Sequence, residues 1–291
     1  MDFNLESYQA ILHTMIVKFD IFCREHNLRY SLCAGSLLGA VRHGGIIPWD
    51  DDIDVMMPRP DYNRLLEIAS NSFYDGYKII HAGNTSHYYL PLAKMTDINT
   101  CMIEMRKYME CQIGVNIDIF PIDVIPEDEI QRESVYHKFL NLYAKAIDTA
   151  EFAHFKSPFE ANGFRINNIL HWLKNKFYRI IYDSATIFKY ADELISRENW
   201  ENGTRCRIYS SYQYHDRIFE KNVFEDYTDL NFDGMKIMCI SKYEQYLSQL
   251  YKNYLELPPI EKRVCHHHHY FIDLNRGYSN KELSEMGIIK Y

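Results

Sequence analysis

The spacing of apolar positions changes along this chain, and each change predicts a different kind of element. From residue 5 to residue 26 the apolar residues recur at helical spacing, which predicts an amphipathic helix. Residues 28–34 then read as a strand, and Gly35-Ser36 opens a short helix that ends at Gly44-Gly45. A helix, a strand and a second helix therefore begin the chain.

Short strands are predicted after this first unit. A strand over 53–57 stops at Pro58, and Asp61 is expected to cap the helix that follows. Asp123 lies beyond Pro121 and is expected to be a loop residue or a helix cap. Further runs have strand character and are separated by polar segments that look like hairpin turns; they cover residues 77–81, 88–95, 101–106 and 112–120.

The middle of the chain is mainly helical, and strand character returns near the end, with a strand expected over 235–240. Pro126 followed by three acidic residues is typical of a helix start, and helical spacing continues to about residue 200. These patterns predict an α+β fold with a nucleotidyltransferase-like mixed sheet and flanking helices. We expect a catalytic core over 1–126, a mainly helical insertion over 127–205, and a C-terminal β-α segment over 206–291 that packs back on the core.

Composition narrows the class of protein. A hydrophobic fraction of 47% and a charged fraction of 25% are typical of a globular chain with a substantial core. The net charge of -8 argues against a nucleic-acid partner, which would require a basic face. The sequence shows no secretory signal and no membrane-spanning run, and its cysteines form no C-x-x-C pair. These features predict a cytoplasmic protein, with peripheral association at the inner face of the membrane left open.

Acidic residues are concentrated at the start of the second predicted strand. Asp50, Asp51, Asp52 and Asp54 follow Trp49 and lead into an apolar run. Because alternate residues of a strand share a face, Asp50, Asp52 and Asp54 are expected on one side and Ile53 on the other. Carboxylate oxygens together with substrate phosphates are the ligands that Mg²⁺ prefers. The run therefore predicts a metal site, with Mn²⁺ as an alternative ion; the competing interpretation is an acidic turn without metal.

A neighbouring strand offers a further carboxylate and a cation. In the segment GVNIDI, Asn116 and Asp118 alternate with apolar residues, so Asp118 is expected to be paired or to face the metal. It is the candidate third ligand or general base, which would activate an attacking hydroxyl. Lys94 lies in another strand-like segment, where it would neutralise a phosphate or pair with Asp97.

The Gly35-Ser36 pair predicts an anion site. Free backbone N–H groups and the helix dipole at the start of a helix attract phosphate, and the Ser36 hydroxyl adds a hydrogen bond. Arg42 and His43, near the end of the same helix, would reach phosphate or form an inward ion pair with the aspartates. Both interpretations remain open.

Three segments together carry a family resemblance. They read AGSLLGAVRHGGIIPWDDDIDVMMPRPDYNRLL, VNIDIFPIDVIPED and LPPIEKRVCHH, and they resemble motifs of the LicD family of phosphocholine transferases, which is related to fukutin and fukutin-related proteins. The match is dense over 28–66, recognisable over 86–126 and 233–268, and unreadable in the helical middle. The resemblance implies a nucleotidyltransferase fold with Mg²⁺ bound by Asp52 and Asp54.

The resemblance also implies a reaction, in which phosphocholine passes from CDP-choline to a sugar hydroxyl of a cell-surface glycan and CMP is released. The expected partners are CDP-choline or a related CDP-alcohol and a glycan or lipid-linked oligosaccharide acceptor. Choline recognition needs aromatic faces, for which Trp49, Tyr88, Tyr89 and Trp172 are candidates. Within the third motif, Lys262, Arg263 and His266 would contact phosphate or acceptor, or serve the structure alone.

The same candidate residues are compatible with other functions. The fold could move NMP from an NTP to a hydroxyl or a protein, or transfer another phospho-alcohol such as ribitol or glycerol phosphate. A catalytically silent scaffold in glycan assembly would lack an acidic ligand, yet Asp52, Asp54 and Asp118 are all present.

Overall fold

The structure, a computed structural model, describes residues 4–70, 73–85, 88–104, 113–153, 169–170, 172–174, 177, 183–209, 217–265 and 269–288. These residues form an α+β fold, as the sequence predicts. The helices are α1 (Leu5–Glu25), α2 (Ala34–His43), α3 (Arg59–Ala69), α4 (Glu129–Ala153), α5 (Ser184–Ile195), α6 (Tyr243–Tyr251) and α7 (Asn280–Glu285). Short 3-10 turns cover Lys221–Phe224 and Ile260–Lys262.

A mixed sheet forms the centre of the molecule, with the strand order β1-β2-β6-β4-β3. β2 runs parallel to β6, and the other pairs along this path are antiparallel. These strands are β1 (Ser31–Leu32), β2 (Asp54–Pro58), β3 (Tyr77–Ile80), β4 (Ala93–Asp97) and β6 (Asn116–Val124). The sheet continues from the far end of β6 through β7 (Arg205–Arg207) to β8 (Phe219–Glu220).

β6 ends four residues later than predicted because it passes through Pro121. The Asp118 N–H donates toward β2, to the Ile53 carbonyl, so the N–H position of Pro121 faces the opposite side. On that side the pairing with β4 ends at Ile119, and the pairing with β7 starts only at Asp123. Proline is tolerated there because no neighbouring strand needs its missing N–H.

Asp123 is therefore not the loop residue or helix cap that the sequence suggested. It lies in β6 with 1% of its surface exposed, and its carboxylate binds Arg59 Nε at 2.5 Å and Nη2 at 2.7 Å. Arg59 also donates to Asp192 of α5 at 2.9 Å, so this ion-pair network joins the sheet to the helical part.

Asp61 does not cap α3 either. The helix begins two residues earlier, at Arg59, with Pro58 as its N-cap residue. Asp61 instead accepts hydrogen bonds from the Arg29 backbone N–H at 2.9 Å and from the Arg29 guanidinium at 2.7 and 3.0 Å. It ties the segment before β1 to α3.

The helical part begins where the acidic residues after Pro126 predict a helix start, and these residues have separate roles. Asp128 accepts a hydrogen bond from the Gln131 N–H at 2.8 Å, as a cap of α4 does. Glu127 turns away from the helix and binds Thr204 and Arg205. α4 and α5 pack around their own apolar cluster, which includes Tyr136, Phe139, Tyr143, Phe188 and Tyr209.

Strand pairing beyond the sheet differs from the predicted series of hairpins. β5 (Cys101–Glu104) pairs with β11 (His269–Asp273) and not with its chain neighbour β4. The predicted 235–240 strand is confirmed as β10 (Met235–Ile240), which forms a hairpin with β9 (Tyr227–Phe232). The C-terminal part thus packs against the first part of the chain, although the exact division into domains stays a prediction.

The main apolar core lies between the sheet and the helices around it. Residues of α1 such as Leu12, Met15 and Phe19 are fully buried against strand residues such as Val55 and Ile117. None of the described helices is long and apolar enough to cross a membrane. Of the described cysteines, five are buried and Cys265 is partly exposed, and all six are free thiols.

Candidate active site

Three strands place two carboxylates and one ammonium group in a row across the sheet. Asp54 at the start of β2 is the register partner of Asp118 in β6, and Asp118 is in turn the register partner of Lys94 in β4. Side chains of residues directly opposite each other lie on the same face of a sheet. Asp54, Asp118 and Lys94 therefore form a row on one face near the start of β2.

Lys94 is bound to the carboxylate beside it. Its Nζ lies 2.5 Å from Asp118 Oδ1 and donates to Asn116 Oδ1 at 2.8 Å. The alternative pairing with Asp97 is wrong, because the Asp97 carboxylate accepts instead from the Asn99 N–H at 2.9 Å. With 4% of its surface exposed, Lys94 is a buried cation, and its charge faces the aspartates.

Burial and the neighbouring carboxylates raise the proton affinity of Asp54. Burial raises the pKa of Asp54 well above its usual range, and the negative charges of Asp52, Asp118 and Asp50 raise it further. The charge of Lys94 acts in the opposite direction but does not cancel these effects. The site therefore has a strongly negative potential, which favours a bound cation.

The first three aspartates of the acidic run do not belong to a strand, so strand alternation does not apply to them. β2 begins only at Asp54, so Asp50, Asp51 and Asp52 precede the strand. Asp50 lines a large cleft, whereas Asp51 and Asp52 line a small cavity. The prediction that Asp50 and Asp52 share a strand face is thus wrong in its premise, because no strand exists at those positions.

Asp51 is held by the C-terminal part of the chain. Its side chain is fully buried, and Oδ2 accepts a hydrogen bond from Cys265 Sγ at 2.8 Å and lies 3.3 Å from His269 Nε2. Both partners are more than two hundred residues away in sequence. These contacts fix the acidic run against the start of β11.

The small cavity lies between the acidic run and the row of charges. It has a volume of about 40 Å³ and is lined by Asp51, Asp52, Asp118, Lys94, Asn116 and His269, among others. A space of roughly 10–15 Å³ already holds one water molecule, so an ion with bound oxygen atoms fits. Within the described ranges, no three His, Cys, Asp or Glu side chains are grouped closely enough to hold a metal ion by themselves.

The start of α2 is tied to the same strand. The Cys33 N–H donates to the Asp54 carbonyl at 2.9 Å, and the Asp54 N–H donates to Ser36 Oγ at 2.8 Å. Ala34, between them, has a φ of +42°, in the left-handed region that non-glycine residues rarely adopt. This constrained turn aims the first turn of α2 at the start of β2.

Gly35 gives the acidic run room to approach α2. A Cβ atom at this position would lie 3.3 Å from Asp50 Oδ2, closer than most real Cβ contacts. The Cys33 side chain makes no capping hydrogen bond. Together with the helix dipole, this arrangement leaves the N-terminus of α2 suited to an anion, next to the carboxylates.

Most of the other candidate residues meet at the large cleft, away from Lys94. Arg42, Trp49 and Lys262 line it, and Arg263 stacks on Trp49 with Cζ 5.5 Å from the ring centroid. Arg42 forms no ion pair with the aspartates; its Nη1 donates to the carbonyls of Tyr254 at 3.3 Å and Glu256 at 3.1 Å. His266 lies outside the described residues.

His43 also packs at this cleft wall. Its ring meets Trp49 edge to face, with 5.7 Å between the ring centroids. Burial lowers the pKa of His43, and the nearby charges of Arg42 and Arg263 lower it further. A neutral imidazole follows, so His43 does not act as a second cation for phosphate at neutral pH.

The aromatic candidates separate into two groups. Tyr88 and Tyr89 are buried, with 0% and 4% of their surfaces exposed, so they cannot offer a face to a ligand. Trp49 is partly exposed at the large cleft, where Tyr251 and Tyr254 join it. Sequence reasoning missed these two tyrosines, and it missed Cys265 and His269, because nothing local in the sequence links them to the acidic run.

Parts of this chain are similar in sequence to known proteins. Residues 27–159 match the family described as LicD/FKTN/FKRP, nucleotidyltransferase domain. The chain is 24% identical over 272 residues to the lipopolysaccharide cholinephosphotransferase LicD of Haemophilus influenzae, covering 91% of this chain and 96% of the relative. An uncharacterized protein of Rickettsia typhi is 32% identical over 118 residues, covering 40% of this chain and 36% of that protein.

The matched region contains α2, β2 and β6, which carry Ser36, Asp54 and Asp118, and it includes Asp52 just before β2. Over residues 27–159, the segment that contributes these residues of the site, the chain therefore resembles the LicD/FKTN/FKRP family.

Proposed function

We propose that this protein transfers phosphocholine from CDP-choline to a sugar hydroxyl of a cell-surface glycan, such as lipopolysaccharide, and releases CMP. The row formed by Asp54, Asp118 and Lys94 across β2, β6 and β4 carries the proposal, because it gathers the charges that phosphoryl transfer needs. The relative in Haemophilus influenzae, named a lipopolysaccharide cholinephosphotransferase, supports the choice of cargo and acceptor.

The residues fit a divalent cation, with Mg²⁺ as the first candidate and Mn²⁺ as the second. Asp52 borders a cavity of about 40 Å³. Burial raises the pKa of Asp54 and the neighbouring carboxylates raise it further, so a cation would offset negative charge there. Asp118 is engaged by Lys94, so Asp52 and Asp54 would be the principal ligands, with Asp118 as a third. Mg²⁺ in such sites commonly has one or two carboxylates and completes its shell with substrate phosphates. When bound, the ion would neutralise charge on the diphosphate.

The start of α2 would hold the diphosphate of the donor. Gly35 lies in its first turn, close to the Asp50 carboxylate, and the helix N-terminus adjoins the acidic run. Ser36 Oγ accepts the Asp54 N–H, which leaves its own hydroxyl hydrogen available as a donor. Anions bind at helix N-termini because of these N–H groups and the helix dipole.

Asp118 would act as the general base. Its side chain is 24% exposed, so solvent or an acceptor hydroxyl can reach it, and Lys94 fixes its position. It would take the proton of the acceptor hydroxyl as that oxygen bonds to the choline-bearing phosphorus. The bond from this phosphorus to the bridging oxygen breaks, and the electron pair leaves with CMP. Lys94 would also offset the negative charge that gathers on the phosphoryl oxygens.

The decisive experiment is an assay for CMP release and phosphocholine transfer. Purified protein is incubated with CDP-choline, Mg²⁺ and lipopolysaccharide, and the products are followed by chromatography and mass spectrometry. We expect transfer that chelation by EDTA abolishes and that Asp52→Asn reduces at least about 10³-fold. Asp75→Asn, at an exposed aspartate remote from the site, is the matched control. Full activity of the Asp52 variant would contradict the metal assignment.

The same assay separates the rival reactions. CDP-ribitol and CDP-glycerol replace CDP-choline to test the cargo, and CTP, ATP and UTP test for NMP transfer. Pyrophosphate release from an NTP, without CMP release from any CDP-alcohol, would replace the proposal by nucleotidyl transfer. Absence of any Mg²⁺-dependent nucleotide binding would favour a scaffold.

A further inference from the structure

The large cleft adjoins the acidic run, which also lines the small cavity. It has a volume of about 590 Å³ and reaches Asp50, two residues before the candidate ligand Asp52. Pockets for small molecules typically have volumes of roughly 300–1,000 Å³, so this one is large enough for an organic ligand of more than one ring. Its floor and walls come from α2, the Trp49 segment, and the stretch after α6.

Two guanidinium groups hold these walls together. Arg42 of α2 donates to the backbone carbonyls of Tyr254 and Glu256 at 3.3 and 3.1 Å. Arg263 donates to the Pro258 carbonyl at 2.9 Å while it covers one face of Trp49. Both groups are occupied in positioning the loop, so the aromatic side chains are presented on a supported surface.

The lining combines aromatic faces with groups that donate or accept hydrogen bonds. Trp49, Tyr251 and Tyr254 supply the aromatic surface, and all three are at least partly exposed. Glu256, Glu261 and Lys262 are exposed around them, and their side chains form no ion pair with any residue that the structure describes. Aromatic rings pack against the C–H faces of sugars, while carboxylates and ammonium groups bind the hydroxyls.

The charges of the cleft disfavour a charged ligand of either sign. A quaternary ammonium would meet the positive charges of Arg42 and Lys262 and that of Arg263, which already covers Trp49. A phosphate group would meet Asp50, Glu256 and Glu261. A neutral polyhydroxyl compound faces neither penalty and can use both signs of charge as hydrogen-bond partners.

We propose that this cleft binds the acceptor sugar, so that a bound glycan presents a hydroxyl beside Asp50 toward the acidic run. The inference rests on the proposed function, since it assigns the second substrate of that reaction. Tyr251 and Tyr254 would contact the sugar rings directly and would determine acceptor specificity. The donor would lie instead at the start of α2 and along the row of charges.

The test uses the full chain with Tyr254→Ala and Tyr251→Ala, and Tyr190→Ala of α5 as a matched control at an exposed tyrosine. Thermal unfolding first verifies that each variant is folded. Binding of an oligosaccharide prepared by deacylating lipopolysaccharide is measured by NMR titration, and binding of CDP-choline with Mg²⁺ is measured by calorimetry. We expect the cleft variants to bind the oligosaccharide at least about tenfold more weakly and CDP-choline within about twofold of wild type.

Several outcomes would overturn this assignment. It fails if the cleft variants lose CDP-choline affinity and keep oligosaccharide affinity, since the cleft would then hold the donor. It also fails if wild type does not bind the oligosaccharide, or if the cleft variants bind it as wild type does. The proposed function fails separately, when wild type releases no CMP from any CDP-alcohol. Oligosaccharide binding tests the cleft even then, because that measurement needs no turnover.

Discussion

Lys94 and Asp118 lie directly opposite each other on β4 and β6, and the lysine Nζ is 2.5 Å from the aspartate Oδ1. Lys94 has 5% of its side chain exposed and Asp118 has 24%. The pair sits beside Asp54, whose own pKa is raised by burial and by the surrounding carboxylates. The charge of Lys94 thus offsets the repulsion between Asp118 and the two neighbouring aspartates.

Removing this cation should destabilise the fold through Asp118. Lys94→Met leaves a carboxylate without its partner, and breaking a buried pair costs about 3–5 kcal/mol when both groups are fully buried. Because Asp118 is partly exposed, we expect a loss of about 1–3 kcal/mol in the free energy of unfolding, measured by urea denaturation. Adding Asp118→Asn to Lys94→Met should recover about half of this loss. Strictly additive losses in the double variant would refute the coupling.

Ser36→Ala should weaken the junction between α2 and β2. The Asp54 N–H would lose its acceptor, and an unsatisfied buried donor costs about 1–3 kcal/mol. We expect a decrease in the free energy of unfolding near the lower end of this range and a loss of transferase activity, because Asp54 would shift. Ser70→Ala, at the exposed end of α3, is the control and should change stability by less than about 0.5 kcal/mol. Unchanged stability and activity in Ser36→Ala would show that the hydrogen bond does not hold Asp54.

Removing one partner of the Arg59–Asp123 pair should lower the free energy of unfolding strongly, whereas replacing both partners with apolar residues should change it little. Burial raises the pKa of Asp123 to about 6, although Arg59 acts against this shift. Desolvation therefore outweighs much of the attraction, as is common for buried ion pairs. We expect Arg59→Met to reduce the free energy of unfolding by about 3–5 kcal/mol.

The double variant Arg59→Met/Asp123→Leu supplies the contrast. Apolar replacement of both partners of a buried pair is often neutral. It should therefore be clearly more stable than Arg59→Met alone in the same denaturation experiment. A double variant no more stable than Arg59→Met alone would contradict this expectation, and the difference between wild type and the double variant gives the net contribution of the pair.

Glu127 should make stability depend on pH in the acid range. Hydrogen bonds from Thr204 and Arg205 lower the pKa of Glu127 from its usual 4.5 to about 2. The folded state therefore binds the proton more weakly than the unfolded chain does, so the contribution is complete above pH 4.5 and is lost as the pH falls toward 2. Since half of the side chain is exposed, the contribution should stay below about 1 kcal/mol.

The measurement compares Glu127→Gln with wild type by thermal and urea unfolding across this range of pH. The stability difference should be largest near neutral pH and should disappear as the pH approaches 2. Glu198→Gln, at an exposed glutamate, is the matched control for removal of one carboxylate. A difference that persists unchanged in acid would mean that the charge of Glu127 is not responsible.

Local patterns in the sequence were sufficient for much of the fold. The alternation in GVNIDI correctly placed Asn116 and Asp118 on a different face from Val115 and Ile117, which are fully buried. The helical spacing of α1 and the bounds of β10 follow from the same kind of pattern. The resemblance to LicD proteins, carried by the acidic run, is confirmed by the family match over residues 27–159.

Pairing between distant segments could not be predicted in this way. The strand character of 101–106 was correct, but its partner is β11, which lies far away in the chain, and not the adjacent strand. Asp123 looked like a loop residue because a proline precedes it, and only the staggered ends of β4 and β7 explain why the strand continues. Hydrophobic period shows which face of a strand is buried but does not show which strand lies beside it.

Residues from late in the chain hold the acidic run and the segment just before it, and this has a consequence for synthesis of the protein. At the turn of the β9–β10 hairpin, Asp233 donates its N–H to the Gly44 carbonyl at 2.7 Å, and its carboxylate accepts the Ile46 N–H at 3.0 Å. His269 then reaches Asp51 from still later in the chain. Chains are made from the N-terminus, so a ribosome would already have released the acidic run before these partners exist. We therefore expect the nascent protein to remain inactive until translation is almost complete, which would keep unfinished chains from consuming the donor.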